Sequence, residues 1–469
     1  MAQTEKSKIL RAGVIYTGAN VLLKGISFFT LPLFIRLLTP EEFGRFNVFI
    51  SFESIIFMFS GLTLHASIKN AKYDKKDDYD SYIKNCVYVD FFNSIIIAVV
   101  ANIVCLLWSQ KIDLNFSEIN LLTLAGFCGA VTSIYSSKLV MEYKAGGYAI
   151  VSFISVIGGV SLSLLLIFTI FSFDHYLGRI VGLVCGELLA TSYVLWNIFH
   201  TGFAPIKISY WKYGIKISLP IIPHGLSQVV LNSANRVIIK YLTNAAKAGI
   251  FSFTYTVSLV PQILFQSIAN VWEPWFFEQM NINNDKQIRH KSNIFCLLIS
   301  IVYIMMACIT PEVVKIMATE EYYEAIDISI IVLIGCYFAT LYNIPCEVEY
   351  YYKKTKHIAT STFVCAVVNI VLNLVLMGYY GYKVAAYVTL FAYFLYFLFH
   401  MFMAHNIMNR WIFDIRIMTI IISLSIIMMV LSILFIESLI VRLTIVAIII
   451  ILIMSLKNKI IPLIKEIIK

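Results

Sequence analysis

Charge is scarce in this chain of 469 residues: charged residues make up 13% against 60% hydrophobic, and mean hydropathy is +0.83. No ordinary soluble domain has that balance, so the expected solvent is a bilayer, crossed many times. No G-x-x-x-x-G-K-[ST] loop and no H-E-x-x-H helix occurs, which leaves nucleotide hydrolysis and zinc chemistry without support. Nine cysteines are scattered through apolar runs with no C-x-x-C and no metal spacing, so they read as small buried hydrophobes rather than disulfides or ligands. A cleavable leader is not expected either: the basic start MAQTEKSKILR runs into a full-length apolar span without a small-residue cleavage site. The net charge of +9 is spread along the chain in a way that argues for membrane orientation, not a nucleic-acid partner. No catalytic residue, metal or cofactor is expected.

Apolar runs of bilayer length lie at about 12–37, 44–68, 84–108, 119–140, 148–170, 178–200, 214–240, 249–276, 292–316, 326–350, 358–378, 382–404, 413–436 and 438–456. These fourteen predict an all-α integral membrane protein. With the N-terminus in the cytoplasm, 25 of the 36 Lys and Arg residues fall in inside segments and 9 in outside ones, with Lys24 and Arg236 inside spans. One missed helix would exchange the faces of everything after it, so this alternation supports the count and puts both termini in the cytoplasm. The outside loops are all short. That weighs against a membrane glycosyltransferase or ligase for lipid-linked sugars, enzymes that usually display a long extracytoplasmic loop with catalytic groups.

Two spans differ from the rest by carrying long polar stripes. In 214–240, His224, Gln228, Asn232 and Asn235 recur at helical spacing beside Arg236; in 249–276, Tyr255, Ser258, Gln262, Gln266, Asn270 and Glu273 do the same. Hydrocarbon cannot satisfy such a stripe, so both must face protein or a wet cavity. An internal echo joins the halves: RLLTPEEFGRFNVF (36–49) and KYLTNAAKAGIFSF (240–253) each follow a span and share a Leu-Thr with a Gly five or six residues on. Six spans separate them, which predicts parallel six-helix repeats: an N-terminal lobe 1–205, a C-terminal lobe 206–408, and peripheral helices with a cytoplasmic tail at 409–469.

The segments RLLTPEEFGRFN, SLPIIPHGLSQVVLNSANRVII, AGIFSFTYTV and NVWEPWFFEQM, with the W-x-P-W motif Trp272, Pro274, Trp275, resemble the polysaccharide biosynthesis flippases of the Wzx type. These belong to the multidrug/oligosaccharidyl-lipid/polysaccharide exporter superfamily. The resemblance implies translocation of undecaprenyl-pyrophosphate-linked oligosaccharide repeat units, for O-antigen or capsule, from the inner to the outer leaflet of a bacterial cytoplasmic membrane. Its implied partners are that polyprenyl-pyrophosphate oligosaccharide, membrane lipids and other polysaccharide assembly proteins. Many relatives carry Asp at the position of Asn235, so any pairing or ion-coupling role of that carboxylate is lost or moved here.

Carrying a pyrophosphate and sugars through a low-dielectric region requires fixed cations, hydroxyls and amides. Thr17, Asn20, Lys24 and Ser27 share one face of the first span, with Lys24 about 16 Å from its cytoplasmic end, near the midplane. Lys24 is therefore expected to face the cavity; the alternative is a structural salt bridge to Glu53 or Glu273. Arg236 either lines the same cavity or snorkels to headgroups. Gln228, Asn232, Asn235, Gln262, Gln266 and Asn270 complete the candidate substrate site. Glu53, Glu187 and Glu273 are the candidates for ion coupling. Glu187 adjoins a packing face of Gly178, Gly182 and Gly186, and Trp272 and Trp275 suggest an interfacial Glu273. A drug or metabolite exporter of the same superfamily is the rival reading; cationic substrates would call for deep acidic groups rather than a mid-span Lys24.

Overall fold

The computed structural model describes residues 28–107 and 114–448, with 18, 22, 25, 26 and 451; the side chains of 224 and 266–271 lie outside the description. The helices are α1 Phe28–Leu37, α2 Pro40–Gly61, α3 Ser67–Asp74, α4 Tyr79–Leu107, α5 Phe116–Met141, α6 Ala145–Thr169 and α7 His175–Phe199. They continue as α8 Ile208–Ser218, α9 Ile222–Leu242, α10 Ala245–Ser258, α11 Val260–Asn281, α12 Asp285–Met317 and α13 Ala325–Leu341. The last are α14 Asn343–Tyr351, α15 Thr355–Tyr380, α16 Val384–Met408, α17 Ile415–Leu434 and α18 Leu439–Ile448. No strand occurs among the described residues. In lipid only a helix satisfies its own backbone, and a closed barrel would need strands.

Every one of the fourteen expected runs holds helix. Among the described residues, eleven helical spans are long and apolar enough to cross a membrane; α8 with α9 forms a bent twelfth, and α1 and α18 are shorter. Four runs expected as single helices are interrupted: 44–68 breaks after Gly61 at the left-handed Leu62 and Thr63, and the other three break beside prolines. The run 214–240 breaks at a 3-10 turn, Leu219–Ile221, beside Pro220 and Pro223. The run 249–276 breaks at Leu259 ahead of Pro261, and 326–350 at Tyr342 ahead of Pro345. A proline ring supplies no N–H to the preceding turn and crowds it, so the α ladder restarts around each one.

Polar caps close the helix starts, where lipid offers no substitute for a missing acceptor. The Thr39 hydroxyl accepts from Glu42 N while Thr39 N donates to the Glu42 carboxylate at 2.9 Å. Asn115 and Glu118 form a second reciprocal box, and Asp174, Asn244, Asn284 and Asp414 each accept from the N–H three residues on.

The chain divides into two compact units: Met1–Leu38 with Arg45–Ser233, and Thr39–Gly44 with Ala234–Lys469. In the first, α6 and α7 run against each other along a glycine seam, and Tyr82, Ile68, Val131 and Val194 anchor a buried cluster. In the second, α13 is buried along almost its whole length. There the two glycines of the sequence echo meet. A Cβ on Gly44 would fall 1.8 Å from Ala245 O, and one on Gly249 2.0 Å from Pro40 O. Each glycine thus admits the first turn of the other's helix, a reciprocity that only residues without Cβ allow.

Candidate functional site

The first unit brings two of the expected acidic residues together. Glu53 on α2 and Glu187 on α7 are joined by a side-chain hydrogen bond, and the second Glu187 oxygen, Oε2, is buried without a partner. The glycines beside Glu187 pack as expected: a Cβ on Gly182 would lie 2.3 Å from Ser163 Cα. That contact fixes the height of α7, and with it Glu187, against α6. Asp90 on α4 is fully buried with Ser94, one turn further along the same helix, beside it, an acidic group that the reading of the spans passed over.

The same unit holds an unpaired cation at the start of α7. Arg179 lies 3.8 Å from the Phe34 ring centroid and 4.9 Å from that of Phe46, and its Nη1 donates to Ser163 Oγ at 2.9 Å. No carboxylate pairs with it among the described residues. Gln228 and Asn232, on the part of α9 assigned to this unit, are half-buried and exposed.

In the second unit Asn235 belongs to a buried amide cluster. Its Nδ2 donates to Thr389 Oγ1 at 2.7 Å, and its Oδ1 accepts from Asn373 Nδ2 at 2.9 Å; Asn373 also donates to Asn369 O at 2.8 Å. The cluster ties α9 to α15 and α16 through neutral groups. Arg236, the next residue, is half-buried with its guanidinium 5.5 Å from the Tyr255 ring centroid; the Tyr255 hydroxyl meets that of Tyr393 at 3.0 Å. Arg236 forms no ion pair among the described residues, and its Nε is buried without a partner. Gln262 on α11 is half-buried.

One expectation meets the structure differently. Trp272 does not mark an interface: it is 1% exposed, stacked at 4.8 Å and 7° on Phe295 and flanked by Trp275 and Phe276. Glu273 is exposed, and beside it in charge is Glu347 on α14, buried with Oε2 unpartnered, an acidic group the sequence reading passed over. The cysteines are buried, with Cys185 half-buried. Thr17, Asn20, Lys24 and Ser27 lie outside the described residues, as do the side chains of Gln266 and Asn270. Glu53 and Glu187 were each legible as buried carboxyls; their pairing across 134 positions was not.

Comparison with known proteins follows the same lines. The family described as "Polysaccharide biosynthesis protein" matches residues 9–280, more than half of the chain. Among solved structures, a lipid II flippase MurJ in an inward closed conformation superposes with a TM-score of 0.76 at 13% identity, covering 95% of this chain and all of that one. An inward-facing multidrug resistance MATE transporter of the MOP superfamily gives 0.60 at 13% identity over 84% of this chain and 99% of its own. A Vibrio cholerae MATE transporter gives 0.59 at 14% identity over 87% and 98%. No curated protein matches. At these identities the structural likeness shows the fold. The chain belongs to the polysaccharide biosynthesis protein family and has the multi-span helical fold of the MOP-superfamily transporters.

Proposed function

We propose that this protein is a flippase that carries undecaprenyl-pyrophosphate-linked oligosaccharide repeat units, of O-antigen or capsule, from the cytoplasmic to the outer leaflet of a bacterial inner membrane. Two six-helix lobes, 1–205 and 206–408, alternate access, with 409–469 peripheral and both termini cytoplasmic. The observation that carries this reading is Arg236: a guanidinium within a span, held over an aromatic ring, with no carboxylate to neutralise it among the described residues. Such a charge is expensive at membrane depth unless a ligand uses it, and a planar fork of donors matches a pyrophosphate. Arg179 is the counterpart in the first unit, and Lys24 the expected third cation. Gln228, Asn232, Gln262, Gln266, Asn270, Thr17, Asn20 and Ser27 supply sugar contacts. Asn235 serves within the buried amide cluster, positioning Arg236 rather than touching substrate. The Glu53–Glu187 pair takes up and releases the coupling proton, with Glu273 at the exposed end of the same task.

The test is complementation of a flippase-deficient strain with wild type, Arg236→Ala, Arg236→Lys and Lys24→Ala, each checked for membrane expression. A charged contact contributes about 1.5–3 kcal/mol, so Arg236→Ala lowers surface polysaccharide at least about tenfold, and Lys restores part of it. Normal polysaccharide with well-expressed Arg236→Ala removes that residue from the mechanism. The carboxyl pair also suits the rival drug exporter. A wild-type chain that restores no polysaccharide yet extrudes organic cations decides for it.

A further inference from the structure

One cluster outside the translocation residues brings three metal-ligating side chains to a point. Cys346 and Glu349 stand three apart on α14, hence on one helical face, and His400 reaches them from α16. One sulfur, one carboxylate oxygen and one ring nitrogen lie within 4.8 Å of one another, and all three side chains are buried. The imidazole is already oriented. Ser361 Oγ donates to Ile358 O at 2.9 Å and so accepts from His400 Nε2 at 3.2 Å, which turns Nδ1 toward Glu349 Oε1, its short hydrogen-bond partner. That is the arrangement of a metal-binding histidine, whose second nitrogen is tied to an outer oxygen. Glu349 Oε2, sealed from solvent, has no hydrogen-bond partner among the described residues.

We propose that Cys346, Glu349 and His400 bind a divalent zinc-class ion that clamps α14 to α16, a site independent of the translocation reading. Sulfur, nitrogen and oxygen donors together select zinc over sodium, magnesium or calcium, which take oxygen. Charge decides the rest. Without metal, the thiol is neutral and one proton sits between imidazole and carboxylate, so the cluster carries no net charge. On binding, the thiol proton and the shared proton leave as one divalent ion enters; thiolate, carboxylate and neutral imidazole then balance it. The exchange is electroneutral, the condition a fully buried site must meet. Oε2 fills the second carboxylate position or leaves the fourth site to water.

The test uses the full-length chain, purified in detergent without chelator and shown to be monodisperse. Wild type is expected to hold about one zinc per chain. After chelation, cobalt(II) alone produces a thiolate-to-metal absorption that Cys346→Ser abolishes, while Ser361→Ala weakens cobalt binding by about tenfold or more. Wild type with less than about 0.1 zinc and no cobalt absorption overturns the site, whatever the variants do. So does full absorption in Cys346→Ser.

Discussion

Gly186→Ala against Gly158→Ala is the sharpest test of how α7 is positioned. A Cβ on Gly186 would sit 2.2 Å from Gly159 N and 2.4 Å from Gly159 Cα, where ordinary contact begins at 3.4 Å. Both obstacles are backbone, so no rotamer change relieves them and the helices must part by about 1.2 Å. Overpacking costs about 1–3 kcal/mol, and rigid backbone puts this case near 3. Replacing Gly by Ala within a helix returns about 1 kcal/mol, so the net loss is about 2. Gly158, on the facing helix, is different: its Cβ would meet Gly186 Cα at 3.6 Å, an ordinary contact. Only the helix gain remains, about 1 kcal/mol of stabilisation. The two substitutions delete the same kind of residue in the same seam and should differ in sign. The assay is thermal unfolding of the full chain in detergent, followed by transport in cells. Parting the helices also draws Glu187 from Glu53, so transport by Gly186→Ala should fall further than its expression does. Equal midpoints for the two variants would refute the seam argument, because the clash is the only feature that separates them.

Two more outcomes follow from ion pairs. Arg442 is 1% exposed and donates to both Glu312 oxygens, at 2.5 and 2.6 Å, and to Cys308 O at 2.7 Å. Arg442→Met leaves a carboxylate and a carbonyl stranded and should cost about 3 kcal/mol in thermal unfolding, with much of it recovered by adding Glu312→Gln; a double variant no better than the single would exclude the pair as the cause. At Glu324, partial burial raises the pKa, but the ammonium of Lys247, the Tyr382 hydroxyl and the Lys383 charge outweigh it, and the net direction is down. A lowered carboxyl pKa adds stability above the unfolded value of 4.5 and loses it as pH falls through the folded value below that. Glu324→Gln should therefore melt earlier than wild type at pH 7 and converge with it below pH 4.5; a gap that widens in acid contradicts the assignment.

The helical spans were legible because apolar length alone marks them: each expected run holds helix, and eleven to twelve among the described residues are long and apolar enough to cross a membrane. The interruptions were not. A hydropathy window averages across Leu259 and Tyr342, and Pro261 or Pro345 reads as one more apolar residue. The candidate site divides in the same way. Helical spacing marked Asn235, Arg236 and Glu187 as polar groups that lipid could not satisfy. It could not name Thr389, Asn373 or Glu53 as their partners, which lie on helices distant in sequence. Trp272 misled for a physical reason. An aromatic near a span end packs equally well in a headgroup belt or on Phe295, and only the neighbouring helix α12 decides.

The contrast among three arginines bears most directly on function. Where this fold needs a buried guanidinium for structure, it builds a complete counter-ion: Arg442 receives a bidentate carboxylate and a carbonyl. Arg179 and Arg236 receive aromatic faces instead, and no carboxylate pairs with either among the described residues. Aromatic rings stabilise a cation by about 0.5–2 kcal/mol without neutralising it, so the charge stays available. Acidic groups are not lacking nearby in the chain, since Glu53 and Glu187 bond each other rather than Arg179 in their own unit. Under the flippase proposal, a fold that can pair its arginines but leaves these two on rings keeps positive charge for an anion that comes and goes. On the proposed reading that anion is the pyrophosphate of the lipid carrier. A carboxylate installed beside Arg236 should then cost transport more than it gains in stability.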